Sequence, residues 1–145
     1  SILKKNLTAI LIGIASGVIT SLITIFAMSL LFRLSHTEYV TLLPKSITTA
    51  IGIGLSEELG GYVAITVAAI MITGLFGNIT GAVLCRILGI KHPIAKGIAI
   101  GTASHVMGTA KAMEIGKTEG AMSSLSVAVA GCMTVGAAII FEGFI

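Results

Sequence analysis

The chain has no aspartate, two cysteines and little charge of either sign: 10% of its 145 residues are charged, and its six acids are all glutamate. So little charge excludes the solvated surface of a soluble domain, which usually carries about 25% charged residues. Cys85 and Cys132 stand far apart in apolar runs. That excludes a disulfide framework and a zinc spacing, and each thiol reads as a small hydrophobe. Nine Lys and Arg give a formal charge of +3, but they flank apolar runs and form no basic face. They read as topology signals, and nucleic acid is excluded as a partner. What is abundant is hydrocarbon: 55% hydrophobic residues and a mean hydropathy of +1.07. The partner these values demand is a lipid bilayer, and the expected fold is an all-α, polytopic transmembrane helix bundle.

Three runs are long enough to span. Residues 7–32 carry no charge after Lys4 and Lys5, and exceed the apolar core of a signal peptide. Gly13 and Gly17, beside Ser16, Thr20 and Thr24, predict a neighbouring helix on that face. Residues 62–85 form the second span. Gly74, Gly77 and Gly81 make its close-packing face, and Asn78 is expected to bond a neighbouring helix. The third span is 120–141. The intervening loop holds Arg86, Lys91 and Lys96 with no acid, which the positive-inside tendency assigns to the cytoplasm.

Two shorter segments, 44–60 and 94–116, alternate with these spans. Pro44 suits the first turn of a helix, and Gly60 with Gly61 ends that segment before a full span is reached. In the later one, Thr102, Ser104, His105 and Thr109 lie among Gly97, Gly101 and Gly108, a mixture that lipid penalises. A continuous helix would put Gly101, Ser104, His105 and Gly108 on one face. Thr48, Gly52 and Ser56 recur similarly in the earlier segment, so the two faces are expected to touch. Paired short or Gly-interrupted segments point to a central site of the kind transporters use, and cations at helix starts suit an anion. The whole chain, 1–145, reads as one transmembrane domain with two half-length or broken helices.

LLPKSITTAIGIGLSEELGG at residues 42–61 and GTASHVMGTAKAMEIGKTEGAMSSLS at residues 101–126 resemble the LrgB/CidB family, antiholin-like bacterial membrane proteins to which the plastid glycolate/glycerate translocator is similar. The resemblance implies a multi-pass protein of the bacterial plasma membrane. It further implies either a carrier of small carboxylates such as pyruvate, glycolate or glycerate, linked to control of autolysis, or an antiholin-like regulator of murein hydrolase activity acting through a holin-like partner of the LrgA/CidA type. An oligomer is expected. Family members usually have further N-terminal helices, so the chain reads as a fragment or a shortened member. It departs from the family pattern at Ala50, Val106 and Lys111, where Pro, Gly and Arg are common; Lys keeps the charge of Arg but loses its bidentate fork.

The candidate substrate-binding residues are Lys45, Ser46, Thr48, Thr49, Ser56 and Glu57 in the first short segment, and Thr102, Ser104, His105, Thr109 and Lys111 in the second. His105 is the candidate proton carrier, since imidazole titrates near neutrality. No cofactor, metal or catalytic residue is expected. Ser104 and His105 are adjacent, so on a helix they diverge by about 100° and make no nucleophile and base pair.

Overall fold

A computed structural model describes residues 2–145, with side chains from Leu3 onward. Six α-helices follow one another: α1 Ile2–Phe32, α2 His36–Leu42, α3 Thr49–Glu58, α4 Val63–Ile87, α5 Pro93–Ile115 and α6 Lys117–Phe141, with a 3-10 turn at Glu142–Phe144. No strand occurs among the described residues. Three helical stretches, Leu3–Phe32, Val63–Ile87 and Lys117–Phe144, are long and apolar enough to cross a membrane. Only 28%, 22% and 28% of their most apolar windows are buried, so the outside of the bundle is hydrocarbon and lipid is its solvent.

Local chemistry sets most of the boundaries. Arg33 leaves α1 at φ 54, and Leu34 N–H closes on Ser29 O at 2.9 Å. Ser35 then starts α2 with a capping box. Its hydroxyl accepts from Glu38 N–H, and the Glu38 carboxylate accepts from Ser35 N–H at 2.7 Å. This helix is absent from the expectation above, although Ser35 and Glu38 carry its signature. Pro44 does not open a helix either. It lies in the turn after α2, and α3 begins only after Thr48, whose φ −63 and ψ 146 are those of an N-cap. At the far ends, Gly60 at φ 76 stops α3 and Gly89 at φ 69 stops α4, both by letting the chain turn left-handed. Pro93 occupies the first turn of α5, where its missing N–H costs nothing.

The chain reverses twice inside the bundle. Within α5, His105 has φ 45 and ψ −143. Residues 93–104 and 106–115 therefore form two arms that fold back on each other. A Cβ on Gly108 would lie 3.2 Å from Ile100 O, eight residues earlier, whereas a straight helix separates such residues by about 12 Å. Lys96 and Ile115 line one small cavity near Cys85, so both ends of α5 lie at the same end of the bundle. The single face expected for Gly101, Ser104, His105 and Gly108 does not exist, because it needs a continuous helix. Gly101 instead meets Ser123 on α6, Ser104 meets Gly77 on α4, and Gly108 meets Ile100 and Ser104.

The second reversal joins α2 to α3 from the opposite end. Tyr39 Oη donates to Phe141 O at 2.8 Å near the end of α6. Leu43, Ser46 and Ile47 reach the level of Val18, Leu22, Ala130 and Thr134, and α3 then climbs back along α4. Gly52 meets Ile70, and Ser56 bonds Thr66. The two short segments thus do not pack along a shared face as expected; α3 packs on α4, and the segments meet at the turn before α3, where Lys45, Ser46 and Ile47 reach Thr102 and Ala103 of α5. Gly13 and Gly17 receive Ile98 and Thr102 of α5. Ser16, Thr20 and Thr24 need no neighbour, since each hydroxyl donates to a carbonyl one turn back on α1.

Charge is segregated by this topology. Lys4, Lys5, Arg86, Lys91, Lys96, Lys111 and Lys117 lie at the end where α1 begins, with Glu114 and Glu119. Glu38, Glu57, Glu58 and Glu142 lie at the other end with Arg33. This is the end that the positive-inside tendency expects on the cytoplasmic side.

Candidate functional site

The two reversals meet near the middle of the long helices. His105 Nε2–H donates to Ile70 O at 2.9 Å, and its ring lies against Gly74. Thr109 Oγ1 closes the turn on His105 O at 2.9 Å and bonds Ser123 Oγ at 2.7 Å. Asn78 Nδ2 donates to Met107 O at 2.7 Å, the interhelical bond expected of it. A non-glycine residue at such φ and ψ costs about 1–3 kcal/mol, and these four hydrogen bonds and the ring contact hold it there. On the facing tip, Lys45 Nζ donates to Ser46 Oγ at 2.8 Å, and Ser46 Oγ lies 3.3 Å from Ser21 Oγ on α1.

Lys45 is half-buried and has no carboxylate partner; the one ion pair found among the described residues is Lys111 with Glu114 at 2.7 Å. It borders two grooves. One, about 690 Å³, runs between α1 and the first arm of α5 from Asn6 and His92 to Ser46 and Thr102. The other, about 520 Å³, runs between that arm and α4 from Leu88 and Ile90 to Thr73 and Ser104. Lys45, Ala99 and Ala103 line both. Each groove extends to the basic end, one to Asn6 and His92 and the other to Leu88 and Ile90. Beyond the tips the acidic end is filled by buried Tyr39, Val40 and Leu43 and by the edge-to-face and tilted rings of Phe26, Tyr39, Phe141 and Phe144.

Thr102 adds a second unmet demand. It is 7% exposed, and its Oγ1 has no hydrogen-bond partner. A buried hydroxyl left in that condition costs about 1–3 kcal/mol. The structure therefore brings Lys45, Ser46, Thr102, Ser104 and His105 to one depth, with Thr109 behind the turn. Thr48 and Thr49 begin α3 beside them, half-buried. Ser56 is fully buried and committed to Thr66 Oγ1 at 2.7 Å, Glu57 is exposed at the acidic end, and Lys111 is paired near the basic end. Ser21 and Thr134 escaped the sequence reading, because hydroxyls in a long span carry no signal until a neighbour is placed beside them. No cluster of three His, Cys, Asp or Glu side chains able to hold a metal occurs among the described residues.

Lipid-facing spans, two opposed chain reversals and an unpaired ammonium between their tips define a multi-pass α-helical membrane protein with an interior polar centre. The chain belongs to the LrgB-like family, whose model matches residues 1–143. It is 46% identical over 125 residues to the holin-like protein CidB of Staphylococcus epidermidis, covering 86% of this chain and 55% of that protein. It is 39% identical over 143 residues to the antiholin-like protein LrgB of Bacillus cereus, covering 99% of this chain and 62% of that one. The chain thus spans less than two thirds of either relative. No solved structure matches it. The family and the apolar helices locate it in the bacterial membrane, and the relatives' names are those of membrane proteins rather than enzymes.

Proposed function

We propose that this protein carries small organic acids of the pyruvate, glycolate or glycerate type, with the carboxylate seated at Lys45 between the two tips. The observation that supports this reading is the Lys45 ammonium, half-buried without a counter-ion at the meeting point of two grooves. An unpaired charge in a low-dielectric interior costs several kcal/mol, and a carboxylate would offset that cost. Thr102 Oγ1 and Ser46 Oγ supply hydroxyls for a substrate of this size, and His105 holds the turn on which Thr102 and Ser104 sit. Lys111 and Glu57 take no direct part in this arrangement. Export fits the electrostatics, since a monocarboxylate moving alone out of an inside-negative cell gains about 2.3 kcal/mol per 100 mV.

The test is flux of labelled small carboxylates from liposomes holding the full-length protein. Lys45→Met should abolish flux while insertion and folding persist, and Lys45→Arg should retain part of it. His105→Gln should lower flux and flatten its dependence on an imposed pH gradient. Carboxylate flux that is unchanged in Lys45→Met would sink the proposal. A second reading, an antiholin-like regulator acting through a holin-like partner, is favoured by the relatives' names. It predicts no flux, but altered autolysis that depends on co-expression of such a partner.

A further inference from the structure

The basic end contains a built cavity that the central site does not use. About 250 Å³ in volume, it lies where α4 ends, α5 begins and the second arm of α5 returns, lined by Arg86, Lys91 and Lys96 together with Cys85, Gly89, Ile90 and Ile115. Gly89 at φ 69 makes the chain turn tightly enough for Lys91 to come back beside Arg86. None of the three cations is paired with a carboxylate, and no acid lines the cavity. Of the two acids at this end, Glu114 is engaged by Lys111, and Glu119 turns its carboxylate to Gly116 outside the cavity lining. Arg86 and Lys91 are exposed and Lys96 is half-buried, so solvent screens part of their mutual repulsion and an anion would relieve the rest.

We infer that this cavity is a phosphate site, taking either the headgroup of an anionic lipid or a soluble phosphate monoester. The guanidinium of Arg86 offers a planar fork for two phosphate oxygens, and the two ammonium groups add point charges. Basic pockets between helices at the cytoplasmic boundary are suited to phosphate headgroups. The cavity also touches both ends of the α5 hairpin, Lys96 on one arm and Ile115 on the other. A bound phosphate would therefore tie the base of the hairpin whose tip forms the central site. Phosphate binding at this cavity does not depend on carboxylate binding at Lys45.

The experiment uses the full chain purified in detergent and compares thermal unfolding with added phosphatidylcholine, phosphatidylglycerol, inorganic phosphate or glycerol 3-phosphate. Phosphatidylglycerol should raise the midpoint above phosphatidylcholine. A rise with glycerol 3-phosphate as well would place the ligand among soluble phosphates; a rise with lipid alone would assign the site to the headgroup. Each cation near an anionic surface is worth about fivefold in affinity, so Arg86→Gln/Lys91→Gln/Lys96→Gln should weaken the effect by roughly a hundredfold. The control Lys5→Gln/Lys117→Gln, at the same end but outside the cavity, should keep it. Equal loss in both variants, or no preference for any phosphate over phosphatidylcholine, would overturn the inference. Because the triple variant could fail to fold, acetylation of Lys96 and Lys117 is also measured by mass spectrometry in the unmodified protein. Phosphatidylglycerol or glycerol 3-phosphate should protect Lys96 and leave Lys117 reactive; equal reactivity with and without either would count against the site.

Discussion

The two hairpins reach the same depth by different physics. The α2–α3 hairpin turns through Pro44 and an N-cap at Thr48, with no residue in a strained conformation. It is held by ordinary hydrophobic burial, with Tyr39, Val40, Leu43 and Ile47 packed into the main core with Ile14, Val18 and Leu22 of α1. A hydroxyl chain from Thr41 O through Thr66 to Ser56 fixes its return along α4. The α5 hairpin turns at a single histidine in a conformation that L residues rarely adopt. Only Ile98 of its buried apolar side chains joins the main core, its own cluster of Cys85, Ile100 and Ala112 is small, and glycines carry the rest: His105 and Ser104 side chains lie against Gly74 and Gly77, and the α6 backbone at Glu119 and Ser123 lies against Gly97 and Gly101. The lesson is that burial can be exchanged for closeness. Where a hairpin must carry polar residues to the middle of a bilayer, thin backbone and specific hydrogen bonds replace the missing hydrocarbon.

The largest test of that contrast is whether the second reversal exists. With Cys85 and Cys132 replaced, Ile100→Cys/Gly108→Cys should form an intramolecular disulfide on mild oxidation, read by mass spectrometry. A continuous helix would keep the two sulfurs too far apart to bond. Ser21→Cys/Ser46→Cys should crosslink the first tip to α1 in the same assay.

Next in size is glycine replacement. A Cβ at Gly77 would overlap Ser104 Oγ, so Gly77→Val should cost more than the usual 1–3 kcal/mol of overpacking and deplete folded protein in the membrane, measured by fluorescence-detected size exclusion. Gly54 on α3 has open space around it. Gly54→Ala should instead stabilise by about 0.5–1 kcal/mol, as relief of helical glycine entropy. A similar response at both positions would erase the distinction between the hairpins.

His105 separates strain from bonding. His105→Ala loses the bond to Ile70 O and keeps the strained backbone, whereas His105→Gly loses the bond and removes the strain. The glycine variant should therefore be the more stable of the two by about 1–3 kcal/mol in thermal unfolding.

The smallest effect belongs to the first hairpin's start. Hydrogen bonds from Ser35 N–H and the Ser35 side chain hold the Glu38 carboxyl below its usual value. A depressed carboxylate pKa means that its stabilisation is complete above the ordinary carboxylate range and is lost as pH falls through the lowered value. Thermal stability should therefore decline slightly on acidification, and Glu38→Gln should remove that fraction of the decline. Because Glu38 is exposed, the difference should be small.

The comparison also marks how far the sequence could be read. Its scarcity of charge and three long apolar runs determined a multi-pass helical membrane protein, because a bilayer interior tolerates little else. Its glycines announced the close-packing faces, and two motifs announced the family. The capping box at Ser35 and Glu38 was legible too, and would have located α2. What tertiary structure alone decided was the path of α5. Gly101, Ser104, His105 and Gly108 have the spacing of one helical face, and nothing in their order says that His105 leaves the helix. That conformation is unfavourable locally and persists only because Ile70 O, Asn78, Ser123 and the glycines of α4 and α6, all remote in sequence, hold it. The same holds for Lys45. Its charge was visible in the sequence, but its lack of a carboxylate and its position between two grooves follow from which helices surround it, and those contacts are a property of the folded chain.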